Sequence, residues 1–347
     1  MLHQIKVPSS TNDNLQCVLD FIERLLAFSV AHKLIEIKDL QNEFGVDVTK
    51  WLTDNDVRVL EKFRDFANTK NDTERQLALD AFKHDREFTA HITDSAFRFQ
   101  LKLSNKEALH TWLKKFYDQL GASGFHPLIC KDHSSNYHKD QWWALFIKEN
   151  PNQSMCIICD GMMTDKRSIE HYLPRSLYPG LSIHPGNLVP MCQKCNSGKE
   201  NDDPLNGRNI TEIFFPYRDA IDQVIDLEFS PTSRERETIM IKPIGTAPEL
   251  TAQIMHYTNT YQMPKRWNDG YEDITTLAMG KLKDRMNILH DEGILVDKDK
   301  FLAAIEKTAR QMEKDWGNFP YAYPASKWLL WAKDNKFESL YTEFSTI

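Results

Sequence analysis

An α+β fold, mainly helical, is what this sequence predicts: helices surround a small central unit of two strands and a helix stapled by zinc, and a short C-terminal hairpin packs with further helices. Three observations predict it. Apolar residues recur at three- and four-residue intervals over most of the chain. Two Cys-x-x-Cys knuckles, Cys156 with Cys159 and Cys192 with Cys195, bracket a stretch too long to lack structure of its own. Residues 224–242 hold two runs that alternate apolar and polar around a polar turn. The chain accordingly divides into a mostly helical region 1–150, a zinc unit 151–210 and an α+β region 211–347 of hairpin then helices.

The first helix opens at Asn12 or Asp13 and runs to about His32, with Leu15, Val18, Leu19, Ile22, Leu25 and Leu26 inward. Helices follow over 37–44, 54–68 and 72–84. The run FRFQLKL from Phe97 has period two and predicts one or two strands within 88–103. Ser104-x-x-Glu107 is a capping-box pattern opening a helix to Leu120. Residues 125–136 read as loop. Trp142, Trp143 and Phe146 stand at helical spacing, as core packed against the zinc unit. Beyond the unit, strands at 224–229 and 238–242 form the hairpin, and helices follow over 248–262, 271–292, 298–316 and 326–334, with Gly293 as a stop.

Within the unit, four thiolates at this spacing suit tetrahedral Zn²⁺, with bonds of about 2.3 Å. Four sulfurs leave the metal no open position, so the zinc is a structural staple. Strands are expected over 168–173 and 187–191, separated by the Pro- and Gly-containing stretch 177–186, and a helix over 193–201. Glu170, His171, Asn187, Asn196 and Lys199 fall on these elements. Histidine titrates near neutrality and can take a proton from water. A carboxylate and an amide carbonyl are the hard oxygen donors that Mg²⁺ needs. Lys199, three residues after Asn196, shares its helical face and suits a phosphate. Neighbours on a strand point opposite ways, so Glu170 and His171 share one site only where the strand bends or ends. Pro174 is consistent with an ending there. Arg175 and His184, between the strands, are candidate substrate contacts.

This order of features resembles the HNH endonuclease family, the zinc-stapled ββα-metal nucleases, over about fifty residues of the 347. The resemblance implies a metal-dependent enzyme that hydrolyses DNA and leaves 5′-phosphate and 3′-hydroxyl ends. His171 matches the general base, Asn187 the middle Asn that ties down the loop, and Asn196 the third motif position, which is His in many members. Glu170 stands where the family usually has Asp or His as metal ligand. Glu170 and Asn196 would then hold the catalytic Mg²⁺ or Mn²⁺, and the four cysteines the structural zinc.

A formal net charge of −7 argues against coating nucleic acid by bulk electrostatics. Between Cys156 and Arg208, six basic residues balance six acidic ones. Affinity for a polyanion must come from local arrangement, from bound cations, or from a partner that delivers the substrate. One such setting is a bacterial anti-phage defence or restriction assembly, with a regulatory protein such as an ATPase. The alternative class is a zinc-stapled module that binds nucleic acid or protein without catalysis, which would have no need of an acidic residue beside His171 together with Asn196. Lys265-Arg266-Trp267 and Lys281, Lys283 and Arg285 are the basic clusters outside the unit. No apolar run approaches a bilayer span and no signal-peptide pattern opens the sequence, so the expectation is a cytoplasmic protein with Cys17 and Cys130 as reduced thiols.

Overall fold

A computed structural model of the chain describes residues 4–54, 58–102, 107–119, 125–130, 139–151, 153–163, 169–199, 203–231, 237–245, 247–315 and 317–344. The fold is α+β, with 62% helix against 7% strand, so strand pairing is confined to two small antiparallel hairpins. Eight helices come first among the described residues: α1 (Ser9–Ala31), α2 (Ile37–Phe44), α3 (Val46–Thr53), α4 (Val59–Thr69), α5 (Asp72–Arg86), α6 (Ala108–Gln119), α7 (Phe125–Ile129) and α8 (Lys139–Glu149). Then come β1 (Ile169–His171), β2 (Leu188–Pro190) and α9 (Gln193–Gly198), followed by β3 (Ile225–Pro231) and β4 (Glu237–Pro243). The chain closes with α10 (Pro248–Thr260), α11 (Met263–Asp269), α12 (Tyr271–Asp291), α13 (Lys298–Lys314), α14 (Ala322–Asn335) and α15 (Phe337–Phe344).

In the N-terminal region α1 packs on α5 and α4 on α6. Trp112 of α6 is fully buried between Phe63, at 4.9 Å between ring centroids, and Phe116, at 5.4 Å. Burying each such side chain stabilises the fold by about 1.5–3 kcal/mol. A capping box at Asn71 and Glu74 starts α5 by satisfying two backbone N–H groups. A second apolar cluster runs from α8, through Trp142 and Phe146, into the zinc unit and on through the C-terminal helices. Gly293, two residues past α12, takes the left-handed conformation at φ 71°, which ends the helix. Among the described residues no helix is long and apolar enough to cross a membrane.

Several expectations are corrected. The strands within 88–103 do not form: residues 88–91 make a 3₁₀ turn, and 97–102 pair with no strand among the described residues. The alternation is real, since Phe97 and Leu101 are buried while Arg98, Gln100 and Lys102 are exposed. The Asp85 carboxylate, however, accepts from the N–H of Gln100 at 2.8 Å and of Leu101 at 2.7 Å, taking the place of a neighbouring strand's carbonyls. The Ser104 end of the capping box lies outside the described residues. Part of the expected loop at 125–136 is helical as α7, and α3, α11 and α15 are helices of seven or eight residues that periodicity did not reveal. Cys17 and Cys130 are joined as a disulfide with Cα atoms 5.7 Å apart, because α7 packs on α1 across a separation of 113 residues.

Removing that bridge by Cys17→Ser is expected to lower the unfolding free energy by about 2–4 kcal/mol. Urea denaturation without reductant measures it, and an unchanged midpoint would show that the pairing contributes no stability.

Candidate functional site

Four sulfurs form the centre of the site. Cys156, Cys159, Cys192 and Cys195 are all buried, and their Sγ atoms lie within 4.8 Å of one another. Cys159 Sγ and Cys192 Sγ are 3.9 Å apart, close to the edge of about 3.8 Å that a tetrahedron with 2.3 Å zinc–sulfur bonds requires. The N–H of Cys192 points at Cys156 Sγ at 3.3 Å and that of Cys195 at Cys192 Sγ at 3.4 Å, an arrangement suited to thiolates. Protons compete in so small a space. Hydrogen bonds from Cys156, Cys159 and Cys195 hold Cys192 far below the usual thiol range, while contacts with Cys156 and Cys192 push Cys159 well above it. A divalent cation replaces those protons, and four buried sulfurs fit a metal such as zinc.

The C-terminal helices grip both knuckles. Trp267 of α11 donates its indole N–H to the Cys159 carbonyl at 2.9 Å. Asp160, left-handed at φ 58°, accepts from the N–H of Tyr323 in α14 at 3.0 Å. Arg266 donates to the carbonyls of Tyr261 and Lys194, and fits against α9 because Gly198 has no Cβ to collide with its guanidinium. The cluster Lys265-Arg266-Trp267 is therefore largely spent on structure, with Trp267 fully buried.

β1 pairs with β2 so that Glu170 faces Val189 and His171 faces Leu188, and it ends at His171. Alternation buries Ile169 and His171 and leaves Glu170 half-buried. Glu170 Oε2 accepts from Asn196 Nδ2 at 2.8 Å, which joins side chains 26 residues apart. His171 is 7% exposed, and its Nε2 lies 2.8 Å from the Ser182 carbonyl. A carbonyl can only accept, so the imidazole proton belongs on Nε2 and the lone pair on Nδ1. Asn187, fully buried, accepts from Leu173 N–H at 2.7 Å and donates to the carbonyls of Leu173 and Leu181 at 3.0 and 3.1 Å. It closes the loop that carries Ser182.

The remaining candidates sit differently. Lys199 is 2% exposed, with Nζ 3.4 Å from the Tyr172 carbonyl. Burial pushes its pKa down to about 8, against the opposite pull of Glu170 and Cys195. It is thus an interior cation and not the outward one its spacing suggested. His184 is likewise drawn inside: Nε2 donates to the Arg86 carbonyl at 2.9 Å, Nδ1 accepts from Gly186 N–H at 3.1 Å, and the ring packs on Phe88. With both nitrogens used and the side chain buried, it pins the loop to α5 and does not present itself to substrate. Arg175 stays at the edge, donating to Asp118 at 2.7 Å above the ring of Tyr117.

Sequence reasoning missed α6 as part of this site. His110 donates to the Ser176 carbonyl at 3.0 Å, Tyr117 donates to the Ile169 carbonyl at 3.3 Å, and Asp118 holds Arg175. His110 and Tyr117, seven residues apart, lie along one edge of the apolar stripe formed by Leu109, Leu113 and Phe116, with Asp118 beside them, and that pair of polar tips was the available signal.

No family model matches the chain, and no solved structure matches it. Over 55 residues it is 31% identical to Septu protein PtuB of Bacillus thuringiensis, which is 15% of this chain and 21% of that protein. Over 45 residues it is 42% identical to protein ea31 of Escherichia phage lambda, 13% of this chain and 15% of that one. The chain thus spans about a fifth and about a seventh of these two relatives, the length of one small unit.

Metal analysis is expected to find one zinc per chain, and Cys195→Ser to lose it and unfold the unit, since structural zinc contributes about 10–16 kcal/mol of apparent binding free energy. A second expectation concerns His184, whose pKa burial pushes down to about 4 from 6.5. The unfolded chain takes up the proton first, so stability is full above pH 6.5 and falls by roughly 3 kcal/mol as pH drops toward 4. Denaturation at several pH values checks this, with His184→Gln removing that part of the slope.

Proposed function

We propose that the chain is a metal-dependent endonuclease of HNH type that hydrolyses phosphodiester bonds of DNA. One observation carries the reading: a buried histidine, its Nε2 held 2.8 Å from the Ser182 carbonyl, ends the strand on which the neighbouring residue, Glu170, meets Asn196 at 2.8 Å. Residues 151–210 are the nuclease unit in this reading, and 1–150 and 211–347 are its flanking regions.

His171 takes the proton of the attacking water at Nδ1, and the new P–O bond forms as the 3′ oxygen leaves with its bonding pair and takes a proton from solvent water, giving a 5′-phosphate and a 3′-hydroxyl. Ser182, through its carbonyl, keeps the base in the correct tautomer. Asn187 keeps that carbonyl in place. Glu170 and Asn196 would hold Mg²⁺ or Mn²⁺, which supplies Lewis acidity and neutralises charge on the phosphate when bound. Arg175 is the cation at the rim and would exchange Asp118 for a phosphate oxygen. Lys199 acts from within, offsetting the negative charge of Glu170 and the thiolates.

The matched stretches belong to a Septu protein of a bacterium and to a protein of a phage. That occurrence, with the acidic balance of the chain, supports a place as the nuclease component of a bacterial defence or restriction system. Such a component works on DNA in the cytoplasm and under a regulatory partner, for example an ATPase.

Purified protein is expected to nick or linearise supercoiled plasmid with Mg²⁺ or Mn²⁺ and not with EDTA. His171→Ala should lower the rate by about 100-fold or more while zinc content and fold persist. If wild type and variant are equally inert, alone and with the products of neighbouring genes, the zinc-stapled binding module is the better reading.

A further inference from the structure

An imidazole that serves as a base must keep one nitrogen aimed at its water. A single hydrogen bond can break and let the ring flip about its bond to Cβ, which carries Nδ1 to the place of Cδ2 and takes Nε2 off its partner. The hydrogen bond from His171 Nε2 to Ser182 is one such constraint. The second comes from outside the ββα unit. Tyr117 of α6 meets the His171 ring edge-on, with centroids 4.3 Å apart and planes at 62°.

Tyr117 is itself held at several points. Its hydroxyl donates to the carbonyl of Ile169, two residues before His171 on the same strand. The Arg175 guanidinium lies 5.1 Å from its ring centroid and is tied back to Asp118, the next residue of α6. One turn and more earlier, His110 is bonded to Ser176 on the segment that follows β1. α6 in turn is anchored in the N-terminal core by Trp112 and Phe116, both fully buried. The ring that touches the imidazole is thus mounted on a twelve-residue helix, whereas Ser182 follows a single 3₁₀ turn in the loop.

We propose that Tyr117 is a positioning residue for His171: it blocks the imidazole flip that would take Nε2 off the Ser182 carbonyl, the contact that keeps the proton on Nε2. This rests on the reading of His171 as the base. It makes α6, and with it the N-terminal helical region, a wall of the site.

The test uses full-length, zinc-loaded protein labelled with ¹⁵N-histidine, with the His171 signals identified by their loss in His171→Ala. Wild type and Tyr117→Phe are expected to show the proton on Nε2, and Tyr117→Ala an average of both tautomers. In plasmid cleavage, Tyr117→Ala should lower kcat about 10- to 100-fold with KM within about 3-fold of wild type, and Tyr117→Phe should restore kcat. A merely structural role would lower zinc content or folded fraction without moving the tautomer. Should Tyr117→Ala fail to fold, Tyr117→Leu takes its place with the same expected shift. An unmoved His171 tautomer in the folded variant overturns the proposal, even if cleavage changes. A moved tautomer in a protein whose wild type cleaves nothing upholds the positioning role and removes the nuclease reading instead.

Discussion

Strands of three residues do not hold a hairpin together in water, so β1 and β2 depend on what crosslinks them. The crosslink is the set of four sulfurs, which ties the chain before β1 to the start of α9 across 36 residues. Because α9 begins at the second knuckle, its direction is set there, and Asn196 arrives at Glu170 as a result. Four thiolates on one divalent ion leave two negative charges in the interior. The buried ammonium of Lys199 faces that charge and the Glu170 carboxylate together, an arrangement in which each buried ion is compensated by another.

Support for this crosslink comes from both sides of the sequence. Trp267 and Asp160 bind the first knuckle to α11 and α14, and Arg266 binds α9 to the end of α10. From the N-terminal side, α6 and the His184–Arg86 contact hold the long loop between the strands. The loop carries two single-turn 3₁₀ helices, Pro179–Leu181 and Pro185–Asn187, and its shape is maintained by Asn187 from within and by these two anchors from without. Three cations of the site are consequently committed: Arg266 to backbone carbonyls, Arg175 to Asp118, Lys199 to the interior. In an acidic chain, bound metal or a partner therefore carries weight in any account of affinity for a polyanion.

Much of this was legible in the sequence. The knuckles were, because metal geometry demands sulfur pairs at short spacing, and the long helices were, because burial writes a 3.6-residue period over four or five turns. The order strand, loop, strand, helix was readable from punctuation by Pro and Gly. What failed did so for physical reasons. The run from Phe97 alternates because every second side chain is buried, which is a statement about burial and not about pairing; Asp85, far away in sequence, supplies the acceptors. Helices α3, α11 and α15 span seven or eight residues, about two turns, which makes a period undependable; α2, of the same length, was read. The Cys17–Cys130 pair follows from packing between α1 and α7, which no local pattern encodes. His184 and Lys199 have the residue types of a polar surface, and only the tertiary arrangement shows that each is enclosed by groups that satisfy it.

Gly198 has no side chain, and the guanidinium of Arg266 fits against α9 in the space that leaves. A methyl added there would meet the far end of the Arg266 side chain and no backbone at clashing distance, so the guanidinium would swing off the Lys194 carbonyl while the two helices stayed where they are. One core runs on beneath this contact, so what a bare Cα secures here is an arginine's grip on a helix end and not the joining of the two parts.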